Sequence, residues 1–358
     1  MTPENLSRNF ATLTRHGVEV QGRTIRIKNE DALIRLARPD PLIDDAEHIL
    51  VQHNLRDKKV FDVYRINVRS GAATLVAPNP GNVTAWQTDH QGRVRTGVVS
   101  DGVNNTLIYR GSESEPFRPI ITTDFKTSVG PQFFDFDNKT LYATSNRGRD
   151  KAALVQIDPA KPNDEKLVYE HPKVDLFSAS YSRKRKVVTQ ADYQVEKAGR
   201  HYFDAQTRTL YERIESKLPG YEIALQSATL DEDKFIVAAA NDRSQGSRHI
   251  YDAKADTLTK LGEIAPWLPE AQMAPMKPIT YKARDGLEIP GYLTLPVGKT
   301  AKNLPCIVNP HGGPWARDGW GYNPEVQFLA NRGYCVLQMN FRGSTGYGRK
   351  FWQASFKQ

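Results

Sequence analysis

Five stretches of this 358-residue chain repeat one plan at a nearly constant interval, and that interval restricts the fold more than any other feature. Each stretch has a polar turn, an apolar run ending in Asn or Asp, a polar loop and a second apolar run. The turns and first runs are residues 44–54, 90–101, 136–146, 182–192 and 231–241. With Asp45, Gly92, Asn138, Arg185 and Glu232 as equivalent turn positions, the steps are 47, 46, 47 and 47 residues. The second runs follow in step, at 63–66, 106–109, 153–157, 201–203 and 249–251.

Within these runs apolar residues alternate with polar ones, whereas helical repeats would show them at spacings of three and four. Short strands in units of 40–50 residues are the mark of β-propeller blades. The chain is therefore expected to open with an all-β propeller over residues 39–265, with residues 1–38 a divergent or partial blade. Aspartates and asparagines closing the first runs suit turns, where their side chains satisfy nearby backbone amides. The histidines and acidic residues of this region show no metal-ligand or acid/base spacing, so no metal site is expected there.

A hydrophobic content of 39% and a charged content of 25% are compatible with packed domains. The formal charge of +8 raises the question of nucleic acid, but the basic residues are dispersed. Their densest cluster, Arg183-Lys184-Arg185-Lys186, falls between two strand-like runs and reads as a solvated hairpin tip, so no nucleic-acid partner is expected. The first thirty residues lack an apolar signal core, and no stretch approaches the length of a membrane span. The chain is expected to be soluble, with no membrane partner; it carries no signal for a compartment or an oligomeric state.

After about residue 260 the period breaks. A proline-rich passage over 266–278 is expected to link the propeller to a second domain at 279–358. Strand-like runs at 279–284 and 288–295 flank Asp285-Gly286, a hairpin-turn pair. A short apolar run, 306–310, leads into His311-Gly312-Gly313-Pro314. A helix should follow, with Asn323 as N-cap, Pro324 in the first turn, Val326, Leu329 and Ala330 on one face, and Gly333 as its end. A further strand at 334–340 then runs into Phe341-Arg342-Gly343-Ser344-Thr345-Gly346-Tyr347-Gly348. Cys306 and Cys335 lie on neighbouring core strands, without metal-type spacing, and read as small buried hydrophobes.

Strand, glycine loop, helix, strand is how the first part of an α/β-hydrolase domain reads, with its functional loop at the carboxyl end of a strand. In acyl transfer a carbonyl oxygen becomes negative, and aimed backbone N–H groups stabilise it. Glycine lets the backbone approach closely and take dihedrals that a side chain forbids. His311 is expected to make a structural hydrogen bond to the loop backbone rather than act as a base. Ser344 is a poor nucleophile candidate, because Arg342 stands where a Gly-x-Ser-x-Gly elbow needs its first glycine. No glycine in the chain has a serine two positions later.

The motifs at 284–293, 311–314 and 340–348, in this order behind a propeller, resemble the prolyl oligopeptidase family of serine peptidases. The likeness is to its acylaminoacyl-peptidase and dipeptidyl-aminopeptidase-like branch. The resemblance implies a propeller that limits access to short peptides, and a hydrolase domain working by a Ser-Asp-His triad without cofactor. Carried over by position, Gly313 lends an oxyanion amide, Gly312 shapes the loop with His311 and Pro314, and Arg342, Gly343 and Tyr347 brace it. The triad is expected beyond Gln358, so the chain by itself is expected to be inactive. The family also has more blades than five. The aromatics of residues 351–356 are expected to lie uncovered, as is the edge of an incomplete sheet. The competing readings are a non-catalytic propeller that binds a partner and, less in keeping with a gating propeller, a lipase- or esterase-type hydrolase.

Overall fold

A computed structural model of the chain describes residues 18–21, 24–27, 45 and 47–356. Strands β1 (Val18–Gln21) and β2 (Thr24–Ile27) pair antiparallel, Val18 opposite Ile27. The rest of the 1–38 segment lies outside the described residues.

The first compact unit runs to Gly102 and includes Thr106–Ile120. Its sheets are β3 (His48–His53), β4 (Asp62–Asn67) and β5 (Ala73–Ala77), then β6 (Val83–Thr88), β7 (Val94–Ser100), β8 (Asn105–Tyr109) and β9 (Arg118–Thr123), each in sequential order. Val63, Ala77 and Val94 form a core backed by Leu50, Trp86 and Phe117. A buried ion pair, Arg95 with Asp89 at 2.9 Å, ties β7 to the turn before it. The guanidinium of Arg95 also donates to the Arg110 carbonyl and the Tyr109 hydroxyl, both at 2.8 Å. Asp62 is fully buried, and two hydrogen bonds from Arg56 hold its carboxyl below the usual range.

The second unit comprises Val103–Asn105 and Ile121–Gln358. It continues with β10 (Val129–Phe134), β11 (Leu141–Ser145), β12 (Ala153–Ile157) and β13 (Lys166–Tyr169), then β14 (Leu176–Ser182), β15 (Val187–Gln194) and β16 (Ala198–Tyr202). Phe133, Tyr142, Leu154, Leu176 and Ala191 pack these two sheets together. Sheet β17 (Glu222–Ala228), β18 (Lys234–Ala240), β19 (Ser247–Asp252), β20 (Thr257–Glu263) follows.

Asp45 precedes β3, the first strand of its sheet, whereas the four later repeat turns fall between the first and second strands of theirs. The chain is left-handed there at Gly92 (φ 67°), Asn138 (φ 56°) and Glu232 (φ 50°), and in the fourth repeat at Lys186 (φ 53°), one residue past Arg185. The basic cluster does lie at the β14–β15 hairpin tip, but Arg185 is half-buried and pairs with Asp204 at 2.6 Å.

One element departs from the all-β reading. Helix α1 (Ala205–Lys217) follows β16 directly, and β14–β16 has three strands. Asp204 caps it by accepting the Thr207 amide at 2.7 Å. Tyr211 and Ile214, one turn apart, bury against Ile223, Val237 and Tyr251. Leu210 packs half-buried beside them, and apart from the buried Thr207 the rest of the helix is exposed, so these few apolar contacts and the cap hold it.

The last sheet is mixed. Its order is β21 (Met276–Lys282), β22 (Glu288–Thr294), β24 (Cys335–Met339), β23 (Cys306–Val308). β23 and β24 are parallel, and the crossover carries helix α2 (Pro324–Asn331). Asn323 Oδ1 accepts from the Glu325 and Val326 amides, and Gly333 (φ 93°) turns the chain out. β21 begins at Met276, inside the stretch read as linker. Helix α3 (Arg349–Gln353) ends the described chain.

Cys306 and Cys335 are opposite one another in the parallel pair and joined by a disulfide, with their Cα atoms 4.5 Å apart. The reading as two buried hydrophobes is thus corrected: Cys335 is buried, Cys306 is exposed, and both are spent in the cross-link. The expectation of uncovered tail aromatics is also corrected. Trp352 and Phe356 pack on each other, on Phe125 from the loop before β10, and on Trp315, with centroids 4.8–6.2 Å apart. The outer β23 strand does show apolar surface, with Val308 57% exposed.

Candidate active site

β23 carries the chain through Asn309 and Pro310 into the loop of His311, Gly312, Gly313 and Pro314 at the carboxyl end of the parallel pair. Gly312, Gly313 and Pro314 are exposed. Gly313 has φ +134°, and a Cβ there would fall 2.6 Å from the Trp315 nitrogen, so a side chain is resisted by both dihedral and space. Among the described residues neither the Gly312 nor the Gly313 amide donates to a protein acceptor. The loop therefore presents backbone N–H groups to solvent on a tightly wound segment.

His311 faces two partners. Nδ1 lies 2.8 Å from the Gly312 carbonyl, which only accepts, so Nδ1 carries the proton and donates. In the neutral ring Nε2 then accepts from the Ser344 hydroxyl, 2.8 Å away. The ring also stacks on Phe341 at 4.4 Å. Ser344 is wholly buried and its hydroxyl is engaged, so it has neither access nor a free proton path.

The segment from Asn340 to Tyr347 grips the loop at several successive points. Besides the Ser344 bond, the Thr345 amide donates to the Ala316 carbonyl at 2.9 Å. Asn340, wholly buried, accepts from the Asp318 amide at 2.7 Å and donates to the Asp318 carbonyl at 3.1 Å. The Tyr347 hydroxyl accepts from Asn340 at 2.7 Å and from Arg317 at 2.8 Å. Burial pushes the Tyr347 phenol up to about 12, so it stays protonated at neutral pH. Asp318, half-buried beside the loop, is pushed upward from 3.8 by desolvation.

Arg342 and Gly343 act on other parts of this frame. Arg342 forms a two-pronged pair with Asp285 in the β21–β22 turn, at 2.7 and 2.9 Å, and so joins two of the sequence motifs. Gly343 (φ +99°) donates its amide to the Phe351 carbonyl, and a Cβ there would meet Ser355 Oγ at 2.6 Å. Arg342 draws the Asp285 carboxyl from 3.8 down to about 2. A depressed folded pKa contributes stability that is present above the unfolded value and is lost as pH falls toward 2. In Arg342→Met the Asp285 carboxyl should titrate close to 3.8 by carbon NMR. A value unchanged near 2 would show that another group sets it.

Several residues of this frame were not singled out from the sequence. Arg317 and Asp318 carried a signal, a charged pair directly behind a glycine loop. Asp150 and Asp175 carried none: they receive the amides of Lys350 (2.7 Å) and Gly348 (3.1 Å), 200 and 173 positions away in the chain. Gln327, buried on α2, donates to the carbonyls of Asp242 and Ala274 at 3.0 and 2.8 Å. Among the described residues no His, Cys, Asp and Glu cluster has metal-holding geometry, and no helix is long and apolar enough to cross a membrane.

Comparison with known proteins bears on this frame. The model of the prolyl oligopeptidase family matches residues 320–358. Dipeptidyl aminopeptidase BIII of Pseudoxanthomonas mexicana is 34% identical over 324 residues, which are 86% of this chain and 45% of that protein. Dipeptidyl peptidase family member 6 of Caenorhabditis elegans is 23% identical over 341 residues, 86% of this chain and 46% of its own length. The structure of a Mycobacterium tuberculosis puromycin-hydrolyzing peptidase matches with a TM-score of 0.61 at 14% identity, covering 87% of this chain and 52% of that one. At that identity the likeness speaks to the fold: propeller-type sheets followed by the opening strands of a hydrolase domain. The chain spans about half the length of the curated relatives it matches.

Proposed function

The chain belongs to the prolyl oligopeptidase family of serine peptidases, and from that premise we propose that it is the propeller and oxyanion-loop portion of a peptidase acting on short peptides or acyl-peptides. In this reading residues 39–265 form the gating propeller, 266–278 the linker and 279–358 the first part of the catalytic domain. The names of its relatives favour release of dipeptides from a peptide's amino end. The observation that carries the reading is the exposed Gly312-Gly313 backbone at the end of a parallel strand, braced from Asn340, Ser344, Thr345 and Tyr347.

The chemistry follows from that arrangement. A serine alkoxide, formed as a histidine takes its proton, attacks the scissile carbonyl, and the carbonyl oxygen becomes negative. The Gly313 N–H would stabilise that oxygen, with Gly312 keeping the backbone free of side chains. The histidine then returns its proton to the leaving amine, and water resolves the acyl-serine. Neither His311 nor Ser344 takes part, because each already satisfies the other within the brace. In this reading these residues do not supply the nucleophile, since no Gly-x-Ser-x-Gly occurs among them.

A fluorophosphonate probe tests this reading. The 358-residue chain should remain unlabelled, while a longer product of the same reading frame, carrying the elbow serine, should label and cleave dipeptide amides. Labelling of the 358-residue chain itself, or a longer product that neither labels nor cleaves, would overturn it.

A further inference from the structure

The β15–β16 hairpin ends in three successive carbonyls, and each meets a donor from the hydrolase segment. Arg317 Nη1 donates to the Gln194 carbonyl at 3.2 Å and Nη2 to the Val195 carbonyl at 3.0 Å. The Tyr292 hydroxyl donates to the Glu196 carbonyl at 2.6 Å. Carbonyls at a turn must find donors outside their own sheet, and a planar guanidinium can serve two at once. The next residue, Lys197, places its ammonium 3.6 Å from the centre of the Trp320 ring.

The same guanidinium reaches the loop brace. It donates to the Tyr347 hydroxyl at 2.8 Å and lies over that ring at 4.3 Å. Tyr347 is bonded to Asn340, and Asn340 holds both backbone groups of Asp318. Two glycines leave room for this junction. A Cβ at Gly346 would fall 2.7 Å from Arg317 Nη1, and one at Gly319 would fall 2.7 Å from Gln194 Nε2. An unbroken path of polar contacts thus runs from the propeller tip through Arg317 to the segment that shapes the glycine loop.

We propose that Arg317 is a positioning residue that makes the geometry of the His311–Pro314 loop depend on the propeller tip being seated; this rests on the peptidase reading above. With Gln194–Glu196 in place the guanidinium is fixed on both sides, and the loop behind Asp318 is held in its tight winding. With the tip withdrawn, Arg317 loses two carbonyl acceptors and its hold on Tyr347 loosens. A reaction chamber that is open would then also be one whose oxyanion site is poorly formed.

Hydrogen exchange on the 358-residue chain tests the coupling without any need for activity. In Arg317→Met, peptides spanning 190–200 and 311–320 should both exchange about tenfold faster or more, while the β18 peptide is unchanged. Gly346→Ala, which leaves Arg317 present but displaced, should give the same paired response. A response confined to one of the two peptides, in both variants, would overturn the proposal. In a catalytically complete product Arg317→Lys, which keeps the charge but not the fork, should lower kcat about tenfold with KM within about twofold. A KM effect alone would overturn the positioning role. Paired exchange in a product that never cleaves peptides would sink the peptidase reading and leave the mechanical coupling intact.

Discussion

Replacing Gly313 by alanine in a catalytically complete product should lower kcat by about a hundredfold to a thousandfold, the range found when one oxyanion donor is lost. Two effects act together. The dihedral of +134° is one that an L side chain rarely adopts. The added methyl would also press to 2.6 Å on the Trp315 nitrogen and 3.2 Å on the Ala316 nitrogen, which are backbone atoms and cannot swing aside. The loop must rotate, and its amide then leaves the place that the proposed function assigns it. Because that interaction strengthens only in the transition state, KM should hardly move. Thermal melting should change little, since residues 312–314 are exposed and fill no core. A variant with normal kcat would remove Gly313 from the mechanism.

Arg95→Met should destabilise the first unit by about 3–5 kcal/mol, the usual result of removing one partner from a buried ion pair. Arg95 is 6% and Asp89 3% exposed, so solvent cannot take over the role of the lost guanidinium. Asp89 keeps the Gln91 and Arg93 amides on one oxygen, while its other oxygen loses the Arg95 bond. The Arg110 carbonyl and the Tyr109 hydroxyl lose a donor as well. Urea unfolding of the variant measures the loss directly. The double variant Arg95→Met with Asp89→Asn should recover part of it, because the uncompensated charge is gone while an amide oxygen still accepts from Gln91 and Arg93. A single variant within about 1 kcal/mol of the parent would mean that the pair contributes far less than buried pairs do.

What the sequence revealed, and what it hid, has a physical pattern. In the four later repeats the two runs seen are the second and third strands of the sheet, and in the first they are β3 and β4; burial concentrates on such inner strands, with four residues of β7 and all but one residue in each of β11 and β12 buried. The outermost strands are half-solvated, as in β20, where every position but one is exposed, and so they carry no apolar rhythm. The turn positions stood out because left-handed backbone selects Gly and Asn, as at Gly92 and Asn138. Helix α1 escaped notice because only Thr207, Tyr211 and Ile214 are buried on it. Its cap, Asp204 with Thr207 three positions on, was the available signal. The glycine loop was legible because it needs glycine for steric reasons. Arg317 shows in the sequence only as a charge behind that loop; its partners are carbonyls more than a hundred positions away, and backbone carbonyls leave no trace in residue identity.

The seat at Gln194, Val195 and Glu196 is recognised through main-chain oxygens that every amino acid supplies. Val195 and Glu196 can therefore change identity without loss of these bonds, whereas Lys197 on the Trp320 ring and Gln194 beside Gly319 are held by their side chains as well. Substitutions at Val195 and Glu196 can accumulate while the joint beneath, made of main-chain oxygens, is inherited unaltered.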